Sequence, residues 1–271
     1  MRPAMKKYPR TPHLAGSRLQ PGDEDLDQVP FAELAGRFVV AEEKMDGANA
    51  GISFSPSGEL LLQSRGHYLD GGPRERHFAL LKQWAGVHVG ALHEVLGARY
   101  VLYGEWLYAK HTCFYDRLPH YFMEFDVYDR EQDLYLSTAA RAALLGGLPV
   151  VPVRVLYADR PRAKAELLEH LGPSCFKSDG WRGALAAAAT EAGAEPEAVA
   201  SQTDGSDDME GLYLKVEDEA QVLARLKFVR ASFHNAILDS GGHWLTRKIV
   251  PNRLADDVDL WASADLYGAS P

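Results

Sequence analysis

Two periods of hydrophobic and polar positions divide this chain. Short runs of alternating character, the mark of a strand with one covered face, are separated by stretches in which apolar residues recur every three or four positions. Phe38-Val39-Val40 opens a strand over 38–43, and Gly51–Phe54 and Leu60–Gln63 form a hairpin joined through Ser55-Pro56-Ser57-Gly58. Arg99–Glu105 and Tyr121–Tyr128 read as further strands. In the second, Phe122, Glu124, Asp126 and Tyr128 point away from Met123, Phe125 and Val127. Val150–Leu156 is a strand whose Pro152 confines it to an edge. Gly211–Val216 and Arg225–Val229 complete the set.

Phe78, Leu81, Ala85, His88, Leu92 and Val95 recur at helical spacing, with Gly97 placed as a C-terminal cap. The pattern predicts one long amphipathic helix with His88 as packing. Ser137 caps a short helix that stops at Gly146-Gly147, and residues 161–171 and 181–200 read as helices, the latter interrupted at Gly193 and Pro196. Strands dominate, helices come in unequal blocks, and no βαβα alternation appears. The expected class is α+β with largely antiparallel sheets flanked by helices.

Composition changes this picture little. An apolar fraction of 46% over 271 residues supports a sizeable core. No run is long and apolar enough to span a membrane, and no signal peptide is apparent. Cys113 and Cys175 are the only cysteines, which argues against a disulfide framework and fits the cytoplasm. The net charge of −9 disfavours a nonspecific nucleic-acid coat but leaves room for a local basic track. Arg2, Lys6, Lys7, Arg10 and Arg18 in the first twenty residues form such a track or a frayed, solvated tail. The acidic loop of Asp23, Glu24, Asp25 and Asp27 needs no special role.

Several chemistries are poorly supported. There is no phosphate-binding Gly-x-x-x-x-Gly-Lys-Ser/Thr loop and no Gly-x-Ser-x-Gly nucleophile elbow. His111, Cys113 and His120 lack the paired spacing of a structural zinc site. What remains is an ordered series. Glu42-Glu43-Lys44-Met45-Asp46-Gly47-Ala48-Asn49 sits where a strand runs into charge, with Asp46-Gly47 read as a turn. Ser64-Arg65-Gly66, Tyr103-Gly104-Glu105, Glu124-Phe125-Asp126, Glu210-Gly211-Leu212-Tyr213-Leu214-Lys215 and Arg225-Leu226-Lys227 follow.

This series, from about residue 38 to 230, resembles the covalent nucleotidyltransferases, the superfamily of ATP-dependent RNA ligases, DNA ligases and mRNA-capping enzymes. Asn49 and the segment Tyr108–Asp116 look like the RNA ligases. The resemblance implies a nucleotidyltransferase (adenylation) domain over 1–230 and a short C-terminal extension over 231–271. Helical structure is expected near 252–266, with no OB-fold barrel. It implies ATP and Mg²⁺, with Mn²⁺ as a substitute. Its substrate would be RNA carrying 5′-phosphate and 3′-hydroxyl ends, with end-processing proteins as candidate partners and no membrane. Lys44 would be the nucleophile, its basicity lowered by enclosure and by Arg225 and Lys227. Glu210, with Glu43 as a second candidate, would hold the metal. Asp46, Asn49, Arg65, Glu105, Phe125 and Lys215 would surround the nucleotide, Phe125 by stacking on adenine and Glu105 near the ribose. A DNA ligase, a capping-type enzyme and a noncatalytic RNA-end-binding module on the same fold are the alternatives.

Overall fold

A computed structural model describes residues 2–19, 22–23, 25–233 and 248–262. The chain begins with two short strands, β1 (His13–Leu14) and β2 (Gln28–Val29), then β3 (Val39–Glu43), β4 (Ala48–Phe54) and β5 (Leu60–Ser64). Helices α1 (Ala79–Val87) and α2 (Val89–Leu96) precede β6 (Tyr100–Trp106), β7 (Phe122–Asp129) and β8 (Leu134–Tyr135). Then come α3 (Thr138–Leu145), β9 (Val151–Pro152), β10 (Val155–Asp159), α4 (Lys164–Leu168), α5 (Trp181–Glu191) and α6 (Pro196–Ser201). The strands β11 (Gly211–Glu217) and β12 (Val222–Val229) close the series.

These strands make two six-stranded sheets. The first runs β10-β3-β11-β12-β1-β2; the second runs β5-β4-β6-β7-β8, with β9 also on β7. Pairing is antiparallel except where β1 meets β2 and β12 and where β9 meets β7. The α+β, mainly antiparallel class is therefore as expected.

The faces are used in an unusual way. Ala50, Ile52, Phe54 and Leu102 of the second sheet pack outward on Leu81, Trp84 and Leu92 of α1 and α2. Leu212, Leu214, Val216, Leu226 and Phe228 of the first sheet form a separate apolar cluster with Leu34 and Leu167. The alternate positions face the other sheet, where an aromatic cluster of Tyr8, Tyr103, Tyr128 and Tyr213 lies beside a set of buried charges. Lys215 Nζ lies 2.9 Å from Glu42 and 3.7 Å from Asp126. Arg225 Nε lies 2.8 Å from Asp126. Arg141 of α3 joins Glu42 at 2.9 Å to Glu124 at 3.1 Å. All but Arg225 are nearly solvent-free. Burial alone would push the Asp126 carboxyl up, but Lys215 and Arg225 outweigh it and hold it below the usual range. The sheets are thus riveted by ions that cannot be lost singly.

Several sequence expectations need correction. The helix over 78–95 is two helices that break at His88, whose φ of −97° and ψ of 12° leave the helical region. The single strand over 150–156 is two: β9 lies beside β7 and β10 beside β3. Pro152 has no N–H for a continuous ladder, and the chain crosses between sheets there. The helix over 161–171 contracts to α4. In β7 the register slips where Tyr103 faces Asp126 and Gly104 faces Glu124, leaving Phe125 as a bulge. Strict alternation fails there, and Phe122 and Val127 share one core. Residues 252–262 are not helical but bridge back to the body, Leu118 pairing with Leu254. Asn252 also accepts from Tyr115 N at 2.9 Å and donates to Leu107 O at 2.7 Å. The rest of the expected helical ending lies outside the described residues.

The first residues are no frayed tail. Lys6 pairs with Asp133 at 3.1 Å, Arg10 with Asp25 at 2.6 Å, and Tyr8 is buried. Pro9 and Pro12 stiffen this arm, and residues before proline favour extended backbone.

Replacing Arg141 by leucine strands the buried Glu124 carboxylate and leaves Glu42 to Lys215. It should destabilise the protein by about 3–5 kcal/mol in urea unfolding. A loss below about 1 kcal/mol would mean that the ion network does not hold the sheets.

Candidate active site

Between the two sheets lies a cavity of about 380 Å³, within the range of small-ligand sites. Its wall starts at the end of β3. There Lys44 N donates to Gly211 O at 2.9 Å, which fixes the chain just beyond the strand. The Lys44 ammonium meets Glu210 Oε2 at 2.6 Å, with Glu210 fully buried. Gly211 must be glycine, because a Cβ there would sit 1.9 Å from Phe228 O. That close crossing of β11 and β12 sets Glu210 opposite Lys44.

Gly47 serves a different purpose from the turn predicted for it. It lacks a left-handed φ, but a Cβ would approach Trp106 O to 2.7 Å, so only glycine lets β4 start against β6. Its N–H donates to Glu105 Oε1 at 3.0 Å. Asp46 turns away to accept from Thr112 N at 2.7 Å and Cys113 N at 2.6 Å, which anchors the Tyr108–Asp116 segment.

The cavity brings together Lys44, Glu43, Asp46, Asn49, Arg65, Glu105, Phe125, Glu210 and Lys227. Asn49 Oδ1 is buried and, among the described residues, has no hydrogen-bond partner. Arg65 is solvent-exposed at the mouth. Phe125, displaced by its bulge, presents its ring beside Tyr8 at 5.2 Å and Tyr213 at 6.2 Å. Glu43 is buried and its two oxygens are taken by Ser174 and Cys175 N. Lys215 and Arg225 do not line the cavity; they lie in the ion network, Lys215 also donating to Phe125 O.

Three lining residues come from places that sequence reasoning left without function. Tyr8 and Thr11 belong to the arm, and Asp23 to the acidic loop. The rigid Tyr8-Pro9-Arg10-Thr11-Pro12 run was the one signal of an ordered segment; nothing marked Asp23. It accepts an ion pair from Lys227.

The electrostatics also differ from expectation. Burial works to lower Lys44, but Glu210 first, then Asp46 and Glu105, more than offset it, and the ammonium is held above its ordinary value. The lysine is therefore stored protonated. Lys227 is lowered, mainly by burial, with Lys44 adding repulsion and Asp23 opposing. The Glu105 carboxyl is pushed up to about 7 by burial, against the attraction of Lys44.

The RNA ligase family model matches residues 37–229. The chain belongs to the RNA ligase family. The matched span agrees within one residue at each end with the ordered series of motifs. Among solved structures, the family member is similar to an archaeal ATP-dependent RNA ligase, with 18% identity and a TM-score of 0.51, over 84% of this chain and 49% of that one. It is also similar to a Naegleria gruberi RNA ligase mutant with ATP and Mn, at 16% identity and a TM-score of 0.45, over 74% and 52%. This chain thus spans about half the length of these structures, and at such identity the archaeal likeness speaks for the fold. No curated protein matches. Among the described residues, no helix is long and apolar enough to cross a membrane.

Glu105 makes a pH test. Its carboxyl is raised from 4.5 to about 7 in the folded protein, so the fold binds this proton more tightly than the unfolded chain does. The resulting stability is present below about pH 4.5 and is lost as pH rises through 7. Glu105→Gln should therefore melt higher than the parent at pH 8, with the gap shrinking toward pH 5. A gap that widens toward pH 5 would contradict the assignment.

Proposed function

We propose that this protein is an ATP-dependent RNA ligase. It would join a 5′-phosphate end to a 3′-hydroxyl end through a lysyl-AMP intermediate on Lys44 and an RNA-adenylate. The observation that carries this reading is the Lys44–Glu210 contact of 2.6 Å on the wall of a cavity that also holds Lys227. A noncatalytic module would have no need of a buried carboxylate aimed at a lysine.

An ammonium has no lone pair, so Lys44 must first lose a proton and part from Glu210. Entry of the nucleotide phosphates is the event that would separate them. The Lys44 nitrogen would then attack the α-phosphorus, pyrophosphate would leave, and the Lys227 ammonium would stabilise the charge growing on the α-phosphate oxygens. AMP would pass to the 5′-phosphate of RNA, and a 3′-hydroxyl would displace it. Phe125 would stack on adenine, Glu105 would face the ribose, Asn49 Oδ1 would take a donor from the ligand, and Arg65 would sit near the accepting end.

The lining also fits a divalent cation. Six acids, Asp23, Glu42, Glu43, Asp46, Glu105 and Glu210, line the cavity with three bases, Lys44, Arg65 and Lys227. A triphosphate would be repelled from this wall unless it arrived with positive charge. Mg²⁺ or Mn²⁺ held by one or two carboxylates and the phosphates themselves suits this lining. Glu210 is the residue to hold it, and Glu43 would need to leave Ser174. When bound, such an ion screens phosphate charge and favours the neutral amine of a neighbouring lysine.

We take residues 1–230 as the adenylation unit, since the arm supplies cavity residues, and 231–271 as an extension. The free thiols of Cys113 and Cys175 fit the cytoplasm. End-processing partners remain part of the proposal.

Incubation with α-labelled ATP and Mg²⁺ should label the denatured protein, and Lys44→Ala should abolish the label. Labelled Lys44→Ala protein would remove the nucleophile from Lys44. Chasing the label into 5′-phosphorylated RNA but not DNA is the expected second result. Transfer to DNA alone would favour a DNA ligase.

A further inference from the structure

The cation opposite Lys44 is held by a relay that the reaction outlined above does not include. Lys227 of β12 is the register partner of His13 in β1, and its N–H donates to Pro12 O at 2.9 Å. Its ammonium pairs with Asp23. His13 is fully buried, with Nε2 at 3.1 Å from the same Asp23 oxygen and Nδ1 at 2.7 Å from Ser17 Oγ. Ser17 Oγ accepts from Val229 N at 2.9 Å.

The polarity of this chain is determined by chemistry. Burial would raise the Asp23 carboxyl, but Lys227 and His13 overcome it and hold it ionised, so it only accepts. His13 Nε2 must then carry the hydrogen. Its Nδ1 becomes an acceptor, and Ser17 Oγ–H donates to it. Burial disfavours the charged imidazole, which agrees with this neutral tautomer. The links run Val229 N–H to Ser17, Ser17 to His13, His13 to Asp23, with Lys227 closing onto Asp23. Val229 and Lys227 lie two residues apart on one strand, so the circuit begins and ends on β12.

We infer that Asp23 is a positioning residue for Lys227, held by the Ser17–His13 relay, which aims the Lys227 ammonium into the nucleotide cavity. A lysine ammonium has three donors, so the bond to Asp23 leaves others for phosphate oxygens. A flexible four-carbon stem would otherwise have to be ordered at the moment of reaction. The groups facing Lys227 are Asp23, His13, Lys44 and Glu210. Asp23 is also reached by Arg10 at 3.6 Å, although Arg10 is committed to Asp25.

The inference rests on the proposed adenylyl transfer, and its test separates the two. With α-labelled ATP at saturation, Asp23→Asn should slow formation of the covalent adenylate about 10- to 100-fold. The ATP concentration for half-saturation should stay within about 3-fold, and Asp23→Glu should recover part of the rate. The alkaline limb of the rate should move to lower pH in Asp23→Asn, because Lys227 keeps its proton less well without that carboxylate. Partial unfolding would scale the profile without moving it. An unchanged saturating rate, or tighter ATP binding, would overturn the inference, the latter making Asp23 a competing anion. Independently of turnover, acylation of Lys227 against pH, read by mass spectrometry, should begin at lower pH in Asp23→Asn than in the parent. Identical curves overturn the relay. An unlabelled parent protein with shifted curves overturns only the adenylyl-transfer reading.

Discussion

The Lys44–Glu210 ion pair is the contact to which the fold around the cavity leads. It requires the end of β3 and the start of β11 to meet at one point. That meeting depends in turn on Gly211, which lets β11 cross β12 at a separation no side chain would permit. The pair has a chemical cost as well as a structural use. A carboxylate at 2.6 Å keeps the amine charged, so the nucleophile of the proposed reaction is stored in an unreactive form. Nucleotide phosphates, by competing with that carboxylate for the ammonium, would also be what separates the pair. Storage of this kind protects against attack on the wrong partner.

The second constraint is the reversed polarity of the sheets. Each turns a large apolar cluster outward to helices and loops, and the faces between the sheets combine aromatic rings with buried charges. Lys215, Glu42, Asp126, Arg225, Arg141 and Glu124 then form a closed set of charges. Buried ion pairs give little net stability against apolar replacements, though the loss of one partner is severe. Here they fix the spacing of the two sheets, and with it the width of the cavity. Tyr8 ties the arm to the same set by donating to Asp126 and bonding Tyr213 Oη at 2.6 Å.

Much of this was legible in the sequence because strand alternation and strand-end charges are local. The positions of Lys44, Glu105, Glu210 and Lys227 at the ends or inner faces of strands followed from the chain itself, and the cavity gathers all four. Lys215 and Arg225 carry the same signature yet lie in the network. A two-residue period gives the face of a residue and not its depth. The bulge at Phe125 arises from pairing with Gly104, which no local pattern encodes. Asp23 was hidden for the opposite reason. A loop acid acquires a role only when β1 is laid beside β12, more than two hundred positions away in the chain. The apparent basicity of the arm misled similarly, since Lys6 and Arg10 find acids elsewhere in the fold.

The central claim is that one nitrogen becomes the carrier of adenylate. The most direct measurement is peptide mapping by mass spectrometry after incubation with ATP and Mg²⁺ and quenching under conditions that preserve a phosphoramidate. The account predicts one AMP group on the peptide containing residue 44, localised to Lys44 by fragmentation. AMP localised to Lys227 or any other residue, or a fully unmodified Lys44 in protein that nevertheless seals RNA, would contradict it.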